Sequence, residues 1–418
     1  MAESSSRMRE GEPSPASGLK ALQALELVLT ASCNLGCGYC YQNVKNPGRM
    51  CWEVLQPALG LLFDSAPKKM DVLFLGGEPL LAKALLHRAA EFIRKNRPPG
   101  KRFRLQVGTN GLLLDRATAD FLVRGGFEIR LSFDGIAAAQ DLRGRNTFRR
   151  LDRLLDRLRE EHPFHFARRV VLCLSVSPST VGHLPESVRY FFSKNVSRIL
   201  ITPVLNGDAE WRLERIAELD RAFRQVFDDS VRLWKRKRKI PVQLFRKSGL
   251  FGSGGSGQER ECGFLKGLSL TVMPDGRLFG CTVLAEGYQR YPDQPLFAES
   301  VAAALRIGDL RGPGLEERYA AFLDAARRSR MFSHRAEKHS GYGTCLDCSF
   351  LTECRLCQAS CRYVPGNRDP LRVSDFGCAF HRVSLQYRRL FPVRVTPLER
   401  LLLTSRAVSP RGAHTPEP

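Results

Sequence analysis

The chain has 418 residues, 43% of them apolar, a formal charge of +22 and 13 cysteines. No run reaches the ~18 apolar residues of a membrane span. Residues 1–20 lack the apolar core of a secretory signal, which argues against export. So many thiols without a leader speak against a disulfide framework and for metal binding in a reducing cytoplasm, while the charge leaves a nucleic-acid partner open.

Residues 1–20 are rich in Ser, Pro, Glu and Gly and are expected to be disordered. The first strand is expected over Leu25–Thr30, and directly behind it come Cys33, Cys37 and Cys40 in the spacing C-x3-C-x2-C. A loop can turn three such thiols toward one point, which a helix or a strand at this spacing cannot. Three converging thiolates bind soft metal. No fourth cysteine follows at short range, Cys51 being the next, so a [4Fe–4S] cluster held here would keep one iron open. Read alone, the triad also fits a zinc knuckle or three unrelated thiols.

From residue 21 to about 240, strand-like runs alternate with helical patterns. Further strands are expected at Asp71–Gly76, Arg102–Gly108, Glu128–Phe133, Val170–Val176 and Arg198–Pro203, and helices at Trp52–Ser65, Leu80–Lys95, Asp115–Arg124, Thr147–Glu161 and Leu184–Lys194. The nearly continuous apolar runs from Asp71 and Val170 are typical of strands buried on both faces. Six strands with intervening helices imply an α/β fold with right-handed crossovers. In such folds ligands lie at the C-terminal strand ends. Those ends carry Gly76-Gly77-Glu78-Pro79, Thr109-Asn110-Gly111 and Ser132-Phe133-Asp134-Gly135. The glycines allow close backbone approach, and the small polar residues can hydrogen-bond a ribose or carboxylate.

Residues 208–239 read as a helix ending in the basic run Lys235–Lys239, where cations suit the helix dipole. Gly252–Gly257 has linker composition, and a domain boundary is expected at 241–260. Eight cysteines follow: Cys262, Cys281, Cys345, Cys348, Cys354, Cys357, Cys361 and Cys378. Pro274-Asp275-Gly276 signals a hairpin that carries Cys281 beside its partner strand. Read alone, the C-x2-C pair here fits zinc as well as iron. Residues 261–391 are expected to form this second domain, with a tail over 392–418. Cys173 is expected in the core. Tyr288 and Tyr291 could line a channel but are expected to pack on the surface.

The Cys33/Cys37/Cys40 spacing, with Tyr39 just before the third cysteine, resembles the radical S-adenosylmethionine (SAM) superfamily. The cysteines after the linker resemble the SPASM extension of peptide-modifying members. The resemblance covers residues 22–390 or so. It implies a partial (β/α)6 TIM-like barrel followed by a small cysteine-rich domain. It also implies a SAM-binding [4Fe–4S] cluster on Cys33, Cys37 and Cys40. Gly76, Gly77, Glu78 and Pro79 stand where the family contacts the methionine part of SAM. Tyr39, Asn110, Ser132 and Asp134 stand at further SAM positions, with Ser132 and Asp134 toward the ribose. Two auxiliary [4Fe–4S] clusters are implied, an outer one on Cys345, Cys348, Cys354 and Cys378 and an inner one on Cys262 and Cys281 with Cys357, Cys361 or both. The chain departs from the family at residue 358, where Gln358 replaces the sixth cysteine. Eight thiolates would fill both auxiliary clusters.

The resemblance implies a 5′-deoxyadenosyl radical used to oxidise or crosslink side chains of a ribosomally made peptide. Expected partners are a peptide or protein substrate, an electron donor such as flavodoxin or ferredoxin, and a separate leader-binding protein. No membrane partner is expected. One alternative is a sulfatase-maturating, formylglycine-generating enzyme. That family places an aspartate after the second SPASM cysteine, and Thr282 stands there instead. A small-metabolite dehydrogenase and a basic nucleic-acid-binding protein are the others. No general base is legible in the sequence.

Overall fold

The structure is a computed structural model that describes residues 18–45, 48–246, 262–285 and 305–392. The linker at 252–257, the tail, Tyr288 and Tyr291 lie outside the described residues.

Six parallel strands form the barrel: β1 Ala24–Thr30, β2 Lys69–Gly76, β3 Arg102–Thr109, β4 Glu128–Ser132, β5 Val170–Val176 and β6 Ile199–Pro203. Each pairs with the next in chain order, from β1·β2 to β5·β6. Helices including Trp52–Asp64, Lys83–Asn96, Arg116–Arg124, Phe148–Glu161 and Leu184–Ser193 cover the outside. The alternation of strand residues separates two environments. Met70, Val72 and Phe74 of β2 are buried toward the helices, with Phe74 tilted against Phe127. On the opposite face Asp71 of β2 pairs in register with Arg104 of β3. That inner face, which also carries Leu73 and Leu75, lines the barrel lumen.

The sheet does not stop at β1. Three further strands, β7 Ser269–Val272, β8 Arg277–Phe279 and β9 Gly308–Asp309, extend it to nine. β7 runs parallel to β1, in the register Glu26↔Thr271 and Leu27↔Val272. The expected hairpin is present as the antiparallel pair β7·β8, turning at Gly276 with φ +92°. It is built onto the barrel rather than into a detached sheet, so the boundary expected at 241–260 separates cysteine sets but not sheets.

The helix expected over 208–239 begins later, at Ile216, and ends at Lys237. Residues before it take short 3-10 turns because Asp208 is engaged elsewhere. Its carboxylate accepts from the Ser374 hydroxyl (2.6 Å) and from the backbone N–H of Asp375 (2.8 Å) and Phe376 (3.1 Å). Asp208 thus caps the helix Asp375–Leu390, which carries Cys378, from a residue more than 160 positions earlier in the chain. Trp211 packs on Phe376 at 5.0 Å beside this cap. The basic run closes the helix C-terminus as expected, with Arg238 left-handed and stacked over Trp234.

Asp208→Ala should cost about 1–2 kcal/mol of stability by leaving these donors unpaired. Chemical denaturation measures it, and Asp208→Asn should recover part of the loss.

Candidate functional site

The cysteine loop leaves β1 at its C-terminal end and is clamped on three sides. On the first side lies the end of β2. Gly77 N–H donates to Thr30 O (2.8 Å) and Glu78 N–H to Ser32 O (2.9 Å). A Cβ on Gly76 would fall 2.2 Å from Thr30 O, and one on Gly77 2.3 Å from Ser32 O. Gly76 also sits at φ +150°. The close approach that these glycines permit is to the cysteine loop's own backbone.

Glu78 has a fully buried side chain and accepts three hydrogen bonds. They come from Leu80 N–H (3.1 Å), the Thr109 hydroxyl (2.7 Å) and Asn110 N–H (2.7 Å). Burial pushes its carboxyl up, against the pull of these donors. Glu78 therefore straps the end of β2 to the end of β3. Pro79 follows it as the first residue of a buried 3-10 turn.

On the second side, Asn110 donates through Nδ2 to Asn34 Oδ1 (2.7 Å) and lies 3.9 Å from Cys33 Sγ. On the third, Gly38 N–H donates to Leu142 O (3.0 Å), and the Tyr39 hydroxyl donates a short hydrogen bond to Asp134. Asp134 is 2% exposed and also accepts from Arg143 at 2.8 and 3.1 Å and from Ser175 N–H at 2.9 Å. Arg143 lies over the Tyr39 ring. Burial works against its charge, but Asp134 holds the guanidinium firmly protonated. Both oxygens of Asp134, expected toward the ribose, are engaged in this buried ion pair and its hydrogen bonds. Ser132 stays partly exposed at the end of β4. Sequence reasoning missed Arg143, whose role shows only once Asp134 is seen to face it.

The thiols fall into three neighbourhoods. Burial raises Cys33 and takes Cys37 to about 11, and Cys33, Cys37 and Cys40 feel one another's charge. Donors are turned toward these sulfurs: Leu35 N–H to Cys33 (3.4 Å) and Lys45 Nζ to Cys40 (3.3 Å). Cys281, Cys262 and Cys357 form the second group, partly buried against the core. Burial first and their neighbours second raise Cys281 well above the usual thiol range and Cys357 to about 12. Cys345, Cys348, Cys354 and Cys378 line one pocket with Arg335, Lys338 and His381. Ser340 Oγ donates to Cys378 (3.2 Å), and Arg335 lies 3.7 Å from Cys354. Among the described residues no three His, Cys, Asp or Glu side chains are already drawn together as a closed single-metal site. Grouped, buried thiols with N–H and O–H donors aimed at sulfur fit iron–sulfur clusters, whose charge those donors offset.

Cys361 lies near enough to Cys357 for its charge to raise that thiol further. It is fully buried in the core, near Lys338 and Arg362, and burial takes it to about 11. Cys51 is exposed and precedes the helix Trp52–Asp64. Cys173, expected in the core, is partly exposed on the lumen face of β5.

Fold and site together define a parallel α/β barrel with a cysteine loop at its mouth and a cysteine-rich extension on its sheet. Residues 27–176 match the model of the Radical SAM superfamily, and this segment is a radical SAM domain. The chain is 31% identical over 179 residues to the cysteine-type anaerobic sulfatase-maturating enzyme of Clostridium perfringens (strain 13 / Type A). That match covers 40% of this chain and 47% of the relative. The chain therefore spans about half the length of the curated relatives it matches first. It is 25% identical over 299 residues to the serine-type enzyme of Klebsiella aerogenes, covering 66% and 71%. A solved structure of anSMEcpe with bound AdoMet shares the fold at TM-score 0.68 and 20% identity, covering 89% of this chain and 98% of that one. Streptococcus suis SuiB bound to precursor peptide SuiA aligns at TM-score 0.56 and 14% identity, covering 86% and 76%.

Glu78→Ala should strip an acceptor from three buried donors and cost about 3 kcal/mol. Thermal unfolding of the purified chain, with iron content measured alongside, checks this. Gly77→Ala should lower iron content more than it lowers stability, since it displaces the cysteine loop itself.

Proposed function

We propose that this chain is a radical SAM enzyme that oxidises or crosslinks side chains of a peptide. The observation that carries the reading is where β1 places the cysteines. Its C-terminal end launches Cys33, Cys37 and Cys40, and its outer edge carries the hairpin with Cys281. Cys33, Cys37 and Cys40 would hold the SAM cluster. Cys262, Cys281 and Cys357 would hold the inner one, and Cys345, Cys348, Cys354 and Cys378 the outer one. Cys361 is left to the core. When bound, such clusters with SAM supply one-electron chemistry able to activate an unreactive C–H bond.

The chain's own residues hold and shield that chemistry. Glu78, Asn110 and the Tyr39–Asp134–Arg143 group fix the loop so that reacting atoms can be held in line. Gly76, Gly77, Asn110 and Ser132 rim the mouth where SAM would lie. The walls of the lumen exclude bulk water and competing hydrogen donors. A peptide entering there lies between the mouth and Cys281.

Peptide substrates fit two of the similar solved structures, anSMEcpe with bound Cp18Cys peptide and SuiB with bound SuiA. An acidic electron donor such as flavodoxin or ferredoxin suits a chain of charge +22. A leader-binding protein completes the proposed partners, and a reducing cytoplasm suits the clusters. No helix among the described residues is long and apolar enough to cross a membrane. A sulfatase-maturating activity is the second reading, favoured by the Clostridium and Klebsiella relatives. Thr282, in place of an acid beside Cys281, speaks against it.

Anaerobic reconstitution should load about twelve irons per chain and yield 5′-deoxyadenosine with SAM and reductant. Cys33→Ala, Cys37→Ala or Cys40→Ala should abolish that cleavage, and retained cleavage would sink the reading. Cys357→Ala should lose about four irons and Cys361→Ala none. The reverse order would exchange their assignments.

A further inference from the structure

We propose that Glu26 is the catalytic proton acceptor of this enzyme, working from the floor of the barrel lumen. The inference rests on the radical SAM reading above and adds the base that the reading lacks.

The six barrel strands carry three carboxylates, Glu26, Asp71 and Glu128. Asp71 is held by Arg104 at 2.7 Å, and Glu128 by Arg198 at 2.8 Å and Arg130 at 3.2 Å. Glu26 enters none of the ion pairs among the described residues. Its neighbours are hydrogen-bond donors instead. Thr271 donates its hydroxyl to Glu26 Oε2 (2.8 Å), and the Thr282 backbone N–H donates to the same carboxylate. An ionised carboxylate has about four acceptor positions, so two donors leave room for a substrate proton. Glu26 lies deep in the barrel, is partly exposed as a residue, and shares the lumen-facing row of β1 with its neighbours in register.

The surroundings fit a substrate position. In register across the sheet, Thr271, Glu26, Leu73 and Gln106 form one row on the lumen face. Gln106 is 3% exposed, and its side-chain carbonyl Oε1 has no partner, so a second acceptor awaits a donor in that row. Tyr41, one residue past Cys40, bonds through its hydroxyl to Thr282 Oγ1 (3.2 Å), one residue past Cys281. Glu26 thus stands between the mouth and the inner cysteines. The charged and titratable groups facing it are Arg130 from β4, Tyr41 from the cysteine loop and Cys281 from the hairpin.

The step itself is a proton transfer. A substrate X–H bond breaks, its electron pair stays on X, and the proton forms an O–H bond on the free edge of Glu26. No redox partner enters this step. A carboxylate on β1 would serve the region beside Cys281, where the hairpin itself offers only Thr282.

The test uses the full chain with its clusters loaded. An apolar carbodiimide should label Glu26 and spare the ion-paired Asp71 and Glu128, as mapped by peptide mass spectrometry. An unlabelled Glu26 overturns the proposal whatever the activity. With SAM, reductant and the Cp18Cys peptide as probe, Glu26→Gln should lower peptide product at least tenfold relative to wild type. Deuterium should still pass from side-chain-labelled peptide into 5′-deoxyadenosine. Glu26→Asp should restore part of the product, and iron content should match wild type in both variants. Full product from Glu26→Gln overturns the proposal while leaving the radical reading intact. A wild-type chain that cleaves no SAM overturns that reading, and the labelling of Glu26 then decides by itself whether its carboxyl is open to the lumen.

Discussion

One strand serves two neighbours, and the rest of the molecule follows from that. β1 pairs with β2 along one edge and with β7 along the other, parallel in both cases. A strand buried between parallel neighbours must keep its register, since a slip of one residue would turn its lumen face outward. Register here fixes more than packing. It sets the height at which the cysteine loop leaves β1, and it sets the height of Thr271, from which the hairpin returns to Cys281. The hydroxyl contact between Tyr41 and Thr282 reports that the two heights agree. The two cysteine sets share a strand and so cannot drift as separately tethered domains would.

The mouth of the barrel shows how a loop rich in thiols is kept in place. Desolvation makes thiolates unfavourable at Cys37, Cys281 and Cys357; neighbouring thiols add to that cost, and Arg143 offsets part of it at Cys37. The loop cannot therefore rely on its own charges for order and is held by uncharged means instead. Gly76 and Gly77 bring the β2 backbone against it, Asn110 reaches Asn34, and Gly38 bonds to Leu142. The buried ion pair beside the loop, Asp134 with Arg143, is a closed pair approached by the Tyr39 hydroxyl. Breaking either partner would leave an uncompensated charge in the protein interior, so the pair acts as one unit.

Much of this was legible in the sequence. Alternating apolar runs located all six barrel strands to within a few residues, cysteine spacing located the loop, and Pro274-Asp275-Gly276 located the hairpin. What was not legible depends on contacts across long separations. Gly252–Gly257 signals a boundary, and nothing local says that Ser269–Val272 will return to β1. Asp208 reads as part of a helix until Ser374 and Phe376 are brought to it. Nothing in the sequence singles out Glu26, and Asp134 reads as a ligand contact until Arg143 is seen to face it. Cys173 sits in an apolar run, but period two puts it on the lumen side. The family spacing left Cys357 and Cys361 undivided. Their three-dimensional neighbours differ in part, with Cys262 and Cys281 beside Cys357 and Lys338 and Arg362 beside Cys361.

The two C-terminal cysteine groups differ in the charge around them. The outer group shares its pocket with Arg335, Lys338 and Arg382. Lys338 is 1% exposed, and its ammonium is held by the carbonyl of Met331 at 2.8 Å. A buried cation beside four sulfurs favours added negative charge on whatever they bind. The inner group has the Glu26 carboxylate on its lumen side, which favours the opposite. That difference in charge is fixed by which strand carries Glu26 and by which turn buries Lys338.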